Sequence, residues 1–137
     1  MAITHLADTS VLTRLRSPSV RAVLEPLVQA GAVGRAAMSD LEIGFSARNV
    51  DEWDALALAL DVMALVPVTA RHFSRARQVQ RLLAEKGLRG RKVPDLLIAA
   101  AAEEAGLIVV HYDADFDHIA QVTGQVVEWI APRGSVE

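Results

Sequence analysis

The 137-residue sequence contains no cysteine, which excludes disulfide bonds and thiolate zinc sites and is typical of the reducing cytoplasm. Aromatic residues make up only 4% of the chain, so base stacking cannot be a broad binding mechanism. The apolar run 96–102 is too short to cross a membrane, and no basic segment with a long apolar run predicts a signal peptide at the N-terminus. We therefore expect a cytoplasmic protein that has no membrane segment.

The residues that are present predict a single α/β domain over residues 1–137. Hydrophobic residues make up 52% of the chain, which is enough to build one core. Short apolar runs alternate with amphipathic segments, and this order is typical of a parallel sheet with helices on both faces. We expect a three-layer α/β/α fold with a short, mostly parallel sheet of four or five strands. The predicted strands are 3–7, 34–38, 65–68, 107–110 and 125–130, and the predicted helices are 18–31, 39–47, 51–64, 70–86, 94–105 and 115–121.

Five carboxylates stand where predicted strands end or predicted helices begin. In an open α/β sheet these positions converge on one crevice, where ligands bind. Carboxylates gathered there repel one another unless protons or a hard cation neutralise them, so a Mg²⁺ or Mn²⁺ site is the economical interpretation, and it indicates phosphate chemistry. The five residues are Asp8, Glu42, Asp95, Asp113 and Asp115.

Each of these acids also has a structural interpretation. Ser39 and Glu42 have the spacing of a capping box, and Asp95 follows a proline at a position where acids favour the helix dipole. Asp8 is compatible with a turn and Asp115 with a helix N-cap. Each explanation is sufficient for one residue, but none accounts for acid at every strand end.

Two neighbouring residues are less easily assigned. His111 precedes the acids of the last motif and either contacts the substrate or is packed at a strand end, which we favour. Asp117 lies two positions after Asp115 in a predicted helix, so its side chain should point away from that of Asp115. A calcium loop beginning at Asp113 is excluded, because its sixth and twelfth positions are His118 and Gly124.

Four motifs give the chain a family resemblance that covers nearly its whole length. They are Leu6–Ser10 (LADTS), Ser39–Glu42 (SDLE), Val93–Ala100 (VPDLLIAA) and His111–Asp117 (HYDADFD). In this order and spacing they resemble the PIN-domain nucleases, and more narrowly the VapC-type toxins of bacterial toxin–antitoxin pairs. The resemblance implies metal-dependent endonucleolytic cleavage of RNA, inhibition by a VapB-like antitoxin, and a homodimer.

Carried over to this chain, the resemblance implies the roles of the site residues. The family's acidic quartet matches Asp8, Glu42, Asp95 and Asp113, and Asp115 is a fifth member of the site. Three of the quartet would hold Mg²⁺, for which Mn²⁺ is a substitute, while Glu42 would ligate the metal or orient the attacking water. Ser10 matches a hydroxyl position beside the metal or the substrate phosphate. The sequence leaves open whether one or two ions bind and whether tRNA or ribosomal RNA is cut.

The basic residues are concentrated in one segment. Between Arg71 and Lys92 there are eight lysines or arginines and one acid, Glu85, although the net charge of the chain is −3. An acidic metal centre needs a cationic flank to hold a polyanion, so the loop that leads to Asp95 is the predicted RNA contact. Its cations are Arg89, Arg91 and Lys92, and the alternative is a solvated surface.

Two other classes of protein share parts of the pattern. A receiver-like signalling domain also binds Mg²⁺ at acidic strand ends, but it needs a lysine after a late strand, and the last predicted strand has none. A non-catalytic interaction module is the second alternative, against which the intact acid set argues. The alanine- and leucine-rich helices, including 51–64 with Trp53 facing inward, carry more apolar surface than a small sheet covers, which favours a homodimer and an antitoxin groove.

Overall fold

The computed structural model describes residues 2–88 and 91–137, so the predicted RNA contact Arg89 lies outside the described residues. All the strands in it pair in parallel, and helices cover both faces of the sheet, as predicted. The strands are β1 (His5–Ala7), β2 (Val33–Ala36), β3 (Ala64–Val66), β4 (Ile108–His111) and β5 (Val127–Trp129). The helices are α1 (Thr9–Leu12), α2 (Pro18–Gln29), α3 (Ala37–Phe45), α4 (Val50–Leu60), α5 (Ala70–Glu85), α6 (Val93–Ala105) and α7 (Asp115–Thr123).

The strand order is β3-β2-β1-β4-β5, with β1 at the centre. His5 pairs with Val33 on one side and with Ile108 on the other. The chain runs outward from β1 to β2 and β3 and then crosses to β4, so the order reverses between β1 and β4. A crevice opens beyond the carboxyl ends of the strands at such a point. Receiver domains place the first strand between the second and the third, so the receiver-like alternative is wrong.

Alternate residues of the central strands build two cores. Leu6 and Val109 face the layer of α5, α6 and α7, whereas Ala7 and Val110 face the layer of α2 and α4. Helix α6 has consecutive buried residues from Asp95 to Ala102, because the sheet and α5 cover it from different sides. Among the described residues, no helix combines the length and the apolar content needed to cross a bilayer.

The start of α3 corrects the sequence prediction. We expected a strand at 34–38 and a helix from Ser39, but β2 ends at Ala36 and α3 begins at Ala37. Alanine and methionine are good helix formers, which explains why residues 37 and 38 join the helix. Ser39 therefore lies inside the helix and is fully buried, so the capping box between Ser39 and Glu42 is wrong.

Trp53 corrects a second prediction. We expected it to face inward, but it is 51% exposed. Its ring lies across Gly44 of α3, where an added Cβ would stand 2.8 Å from the indole Nε1. The tryptophan of α4 therefore packs on α3 and is half exposed. Helix α4 also ends earlier than predicted, at Leu60, and Met63 reaches the core from the turn that follows.

Candidate metal centre

The first carboxylate of the site, Asp8, follows the central strand β1 and is 2% exposed. It caps α1, and its Oδ2 accepts hydrogen bonds from the backbone N–H of Ser10 at 2.9 Å and from the Ser10 hydroxyl at 2.6 Å. Its other oxygen, Oδ1, is buried and has no hydrogen-bond partner within residues 2–88 and 91–137. Burial raises the pKa of Asp8, which the Ser10 hydrogen bonds counteract. Asp8 is therefore a fixed carboxylate, and its Oδ1 is the atom that a ligand could bind.

Ser10 joins the two strand ends that meet at the crevice. Its hydroxyl donates to Asp8 and accepts a hydrogen bond of 2.9 Å from the backbone N–H of Tyr112, just beyond β4. Ser10, which the sequence predicts as a substrate contact, thus holds Asp8 in place. Its hydroxyl acts both as a donor and as an acceptor of hydrogen bonds within the protein.

Asp95 enters the crevice from the first turn of α6 and is 6% exposed. Its Oδ2 is buried and accepts no hydrogen bond from any described residue, and the ammonium of Lys92 lies 3.8 Å away. Burial, followed by the negative charge of Asp8, raises the pKa of Asp95 to about 8, although Lys92 opposes the shift. In the absence of a stronger cation, Asp95 therefore carries a proton at neutral pH.

Asp113 and Asp115 complete the carboxylate group from the end of β4 and the start of α7. The Lys92 ammonium donates to Asp113 Oδ2 at 2.7 Å, and the Asp115 backbone N–H donates to Asp113 Oδ1 at 2.9 Å. Burial would raise the pKa of Asp113, but these bonds outweigh it and hold that pKa below its usual value. Carboxylate oxygens of Asp95, Asp113 and Asp115 all lie within 4.8 Å of one another.

Glu42 lies on the exposed surface of α3. Its Oε1 accepts a hydrogen bond of 2.7 Å from the Thr9 hydroxyl, which also shares a hydrogen bond of 2.8 Å with Ser39. Glu42 is close enough for its charge to contribute to the raised pKa of Asp8. Among the described residues, the tight group is Asp95, Asp113 and Asp115, so Asp8 and Glu42 flank it and do not form part of it.

The described cations of the predicted RNA loop touch the acids directly. Arg91 donates to Asp115 Oδ1 at 2.7 Å, and Lys92 donates to Asp113. Sequence reasoning placed both residues beside the site, but it did not anticipate that they form ion pairs with the predicted metal ligands.

His111 and Asp117 take other roles. His111 is fully buried between the rings of Phe116 and Trp129, whose centroids lie 5.1 and 5.0 Å away, so the packed interpretation of His111 is confirmed. Burial lowers its pKa to about 4, against the charges of Asp117 and Asp113. Asp117 accepts a hydrogen bond of 3.0 Å from the Trp129 indole. His111 is therefore a packed ring that is neutral at physiological pH.

Three residues that sequence reasoning did not place at the site contribute to it. Thr9 holds Glu42, and Tyr112 carries the backbone N–H that binds Ser10. The guanidinium of Arg14 packs on the Tyr112 ring, 4.7 Å from its centroid. Arg14 follows Ser10 by four residues, a spacing that one helical turn brings together. This spacing was the sequence signal that could have predicted the contact between Arg14 and Ser10.

The donor set suits a hard divalent cation. Magnesium and manganese bind carboxylate oxygens, and among the described residues two buried carboxylate oxygens, Asp8 Oδ1 and Asp95 Oδ2, have no hydrogen-bond partner. A cation at the group of Asp95, Asp113 and Asp115 would give Asp95 a partner and would also neutralise the charges of Asp113 and Asp115. The residues present therefore fit such an ion.

Comparison with known proteins identifies the family. Residues 6–122 match the PIN domain. The chain is 57% identical over its full length to the full-length Ribonuclease VapC51 of Mycobacterium tuberculosis (strain ATCC 25618 / H37Rv). It is 46% identical to Ribonuclease VapC18 of the same strain over 94% of this chain and 96% of that protein.

Solved structures share the fold. DNA-bound VapBC from Salmonella typhimurium aligns with a TM-score of 0.77 at 16% identity, over 94% of this chain and 99% of that one. VapBC-5 from Mycobacterium tuberculosis aligns with a TM-score of 0.65 at 23% identity, over 93% and 98%. The family resemblance seen in the sequence is thus confirmed. The chain belongs to the PIN-domain family and, within it, to the VapC ribonucleases.

Proposed function

We propose that this protein is a Mg²⁺-dependent endoribonuclease and the toxin of a VapBC-type toxin–antitoxin pair, acting in the cytoplasm, where its RNA substrate and its antitoxin are found. The observation that carries the proposal is the meeting of carboxylates at the reversal point of the sheet. Two of their buried oxygens have no hydrogen-bond partner in the described part of the chain, and three of the carboxylates lie within 4.8 Å of one another. The names of the full-length relatives support the ribonuclease activity.

Asp95, Asp113 and Asp115 would hold the ion, Asp8 would bind it directly or through a water molecule, and Mn²⁺ would serve as a substitute for Mg²⁺. A bound divalent ion supplies a lowered pKa for a water molecule and charge neutralisation for the scissile phosphate. The chain would prepare for this ion by fixing Asp8 through Ser10, and binding of the ion would favour the ionised form of Asp95, whose pKa is raised without it.

Glu42 would orient the attacking water for in-line displacement at the phosphodiester, leaving a 5′-phosphate and a 3′-hydroxyl. The Thr9 hydroxyl fixes one of its carboxylate oxygens, and the residue is exposed to solvent, so water can reach it. Positioning of this kind is effective only within hydrogen-bond reach of the water.

Arg91 and Lys92 stand at the rim of the site and, with Arg89, would contact RNA phosphates on either tRNA or ribosomal RNA. Both described cations are held on site carboxylates, so they need little movement to meet an incoming phosphate. A cationic rim also offsets the repulsion between an acidic centre and a polyanion.

A VapB-like antitoxin would bind the apolar groove between α2 and α4. This groove has a volume of about 270 Å³ and is lined by Leu15, Leu24, Val28, Ala59, Val62 and Met63, among others. An apolar helix face of a partner fits a groove of this kind. A basic side chain of the antitoxin, such as an arginine, would enter the acidic crevice and compete with the metal.

The exposed face of α3 supports a homodimer. Phe45 is 91% exposed and Leu41, one turn earlier, is 75% exposed. Apolar side chains that stand this far out of a small domain are typical of a surface that another chain covers. Light scattering at micromolar concentration should give the mass of two chains, and a monomer would contradict the dimer.

Sequencing the ends of RNAs tests the proposed activity. Expression of the protein should produce new RNA fragments with 5′-phosphates at defined positions, and expression of the Asp8→Asn variant should produce none. Co-expression of the antitoxin should suppress the fragments. An identical fragment pattern from wild type and variant would remove the carboxylate site from the reaction, and the absence of any fragments would favour the non-catalytic interaction module.

A further inference from the structure

Two arginines and two aromatic rings form a continuous row beside the metal centre. The Arg14 guanidinium lies 4.7 Å from the centroid of the Tyr112 ring, and the Arg133 guanidinium lies 5.8 Å from that of Trp129. The two rings meet edge to face, with centroids 5.3 Å apart and an interplanar angle of 85°. We call these four residues the arginine–aromatic strip.

The strip is fastened to the residues that build the metal centre. Arg14 Nη1 donates at 2.8 Å to the carbonyl of Ser10, whose hydroxyl holds Asp8. The backbone N–H of Tyr112 donates to the same hydroxyl, and Tyr112 directly precedes Asp113. One end of the strip therefore has a fixed position relative to two of the proposed metal ligands.

The arginines of the strip differ from the cations of the predicted RNA loop. Arg91 and Lys92 are paired with Asp115 and Asp113. Within residues 2–88 and 91–137, neither Arg14 nor Arg133 forms an ion pair with a carboxylate. The strip therefore carries positive charge that no described carboxylate neutralises.

Stacked guanidinium groups are suited to binding phosphate. An arginine that packs over an aromatic ring keeps its charge, and the N–H groups that the protein does not use can form hydrogen bonds with phosphate oxygens. The rings of the strip are occupied by the arginines and by each other, so they are not free to stack on bases. The chemistry favours contact with a nucleic-acid backbone and no reading of its sequence.

We propose that the arginine–aromatic strip binds phosphates of single-stranded RNA next to the bond that is cut. The proposal rests on the ribonuclease function proposed above and adds a second substrate contact to it. Tyr112 packs against the core under α2 and α4, whereas Arg91 and Lys92 precede α6 of the other layer. RNA would therefore be held from both layers, with the scissile phosphate over the carboxylates between them.

Binding titrations on a cleavage-dead protein test the strip. In an Asp95→Asn background, Arg14→Gln and Arg133→Gln should each weaken binding of a single-stranded RNA roughly tenfold at low salt, the loss expected for one charged hydrogen bond. Each change should also reduce the slope of log affinity against log salt by about 0.7. Arg77→Gln is the matched control, because this exposed arginine lies on α5 in the other layer and forms no ion pair within the described residues. It should change neither quantity.

Arg14 is partly buried, so its replacement could act through the fold. Arg133 is exposed in the C-terminal segment, and its replacement should leave the thermal unfolding midpoint unchanged. Weaker RNA binding by Arg133→Gln at an unchanged midpoint supports the strip. If only Arg14→Gln weakens binding, and its midpoint has fallen, the strip is a structural feature and the proposal is overturned.

Two further outcomes distinguish a failure of the strip proposal from a failure of the proposed ribonuclease function. If the Arg133→Gln variant binds RNA normally but no longer binds the antitoxin, the strip is a protein contact and the proposal is overturned, while the ribonuclease function stands. If the wild-type protein cuts no RNA but the strip variants still lose affinity and salt dependence, the proposed function fails and the strip stands as an RNA-binding surface.

Discussion

At the scale of single residues, the protonation of Asp95 has a measurable effect on stability. Its pKa lies near 8 in the folded protein, compared with an ordinary value of 3.8. The folded state then binds a proton that the unfolded state releases, so this residue stabilises the fold at low pH and the stabilisation is lost as the pH rises toward 8. The pKa of His111 is about 4 in the folded protein, compared with an ordinary value of 6.5. Its titration therefore makes stability rise with pH, but only below pH 6.5. The effect of Asp95 is therefore clearest between pH 6.5 and 8.

We expect the free energy of unfolding of the metal-free protein to fall across this interval, by on the order of 1 kcal/mol per pH unit. Asp95→Asn removes the titrating group, so its stability should depend less on pH and should exceed that of the wild type at pH 8. Denaturant unfolding at several pH values in the presence of a chelator measures both. Parallel curves for the two proteins would show that Asp95 is ionised in the folded state.

Lys92 gives the second prediction at this scale. Its ammonium binds Asp113 and approaches Asp95, so it occupies the position of a cation among the proposed metal ligands. Lys92→Gln removes this competing charge and should tighten Mn²⁺ or Mg²⁺ binding several-fold in calorimetric titrations. Lys86→Gln, at the exposed end of α5, is the control and should leave metal affinity unchanged. Weaker metal binding by Lys92→Gln would contradict the position we assign to the ion.

At the scale of secondary-structure elements, the short helix α1 connects the strand ends. Ser10 in α1 donates to Asp8 after β1 and accepts from Tyr112 after β4, two positions that are far apart in the chain. Because the Tyr112 N–H is partly buried, Ser10→Ala leaves it unsatisfied as well as freeing Asp8. We expect a loss of about 1–3 kcal/mol in the free energy of unfolding.

Ser19→Ala is the matched control for this change, since its hydroxyl shares an exposed hydrogen bond with Ser17 in the first turn of α2. It should cost little, and chemical denaturation compares the two variants directly. Equal stabilities for Ser10→Ala and Ser19→Ala would mean that the Ser10 hydroxyl does not hold the strand ends together.

The elements differ in how far the sequence predicts them. Helix α6 and strand β4 were predicted closely, because Pro94 and Gly106 delimit the helix and an unbroken apolar run marks the strand. Strand β3 lies at the edge of the sheet, which is compatible with the proline that follows it, Pro67. Helix α1 was missed because four residues carry no helical periodicity, and the start of α3 was placed two residues late because a buried serine resembles a cap.

Prediction of the candidate site from the sequence is likewise incomplete for its side-chain contacts. Strand ends predict that Asp8 and Asp113 approach each other, because the parallel sheet dictates it. The ion pairs of Arg91 and Lys92, and the packing of Arg14 on Tyr112, depend on side-chain positions in segments that are distant in the chain. No spacing rule connects such segments, so these contacts required the structure.

At the scale of the whole molecule, the strand order explains why one small domain can gather so many like charges. The central strand β1 carries Asp8, its neighbour β4 leads to Asp113 and Asp115, and α6 carries Asp95 into the crevice between them. The two hydrophobic cores fix these elements from both faces of the sheet. The stability of the cores therefore compensates for the electrostatic repulsion at the site, and this repulsion is what a divalent cation would relieve.

The most direct test is the initial rate of RNA cleavage as a function of Mg²⁺ concentration, measured for the wild type, Asp95→Asn and the control Asp54→Asn on the exposed side of α4. The carboxylate centre predicts no cleavage in a chelator and a rate for the wild type that rises to saturation with Mg²⁺. It also predicts the same curve for Asp54→Asn and a loss of at least about a hundredfold for Asp95→Asn. Cleavage by Asp95→Asn at the wild-type rate in saturating Mg²⁺, or by the wild type in a chelator, would contradict it.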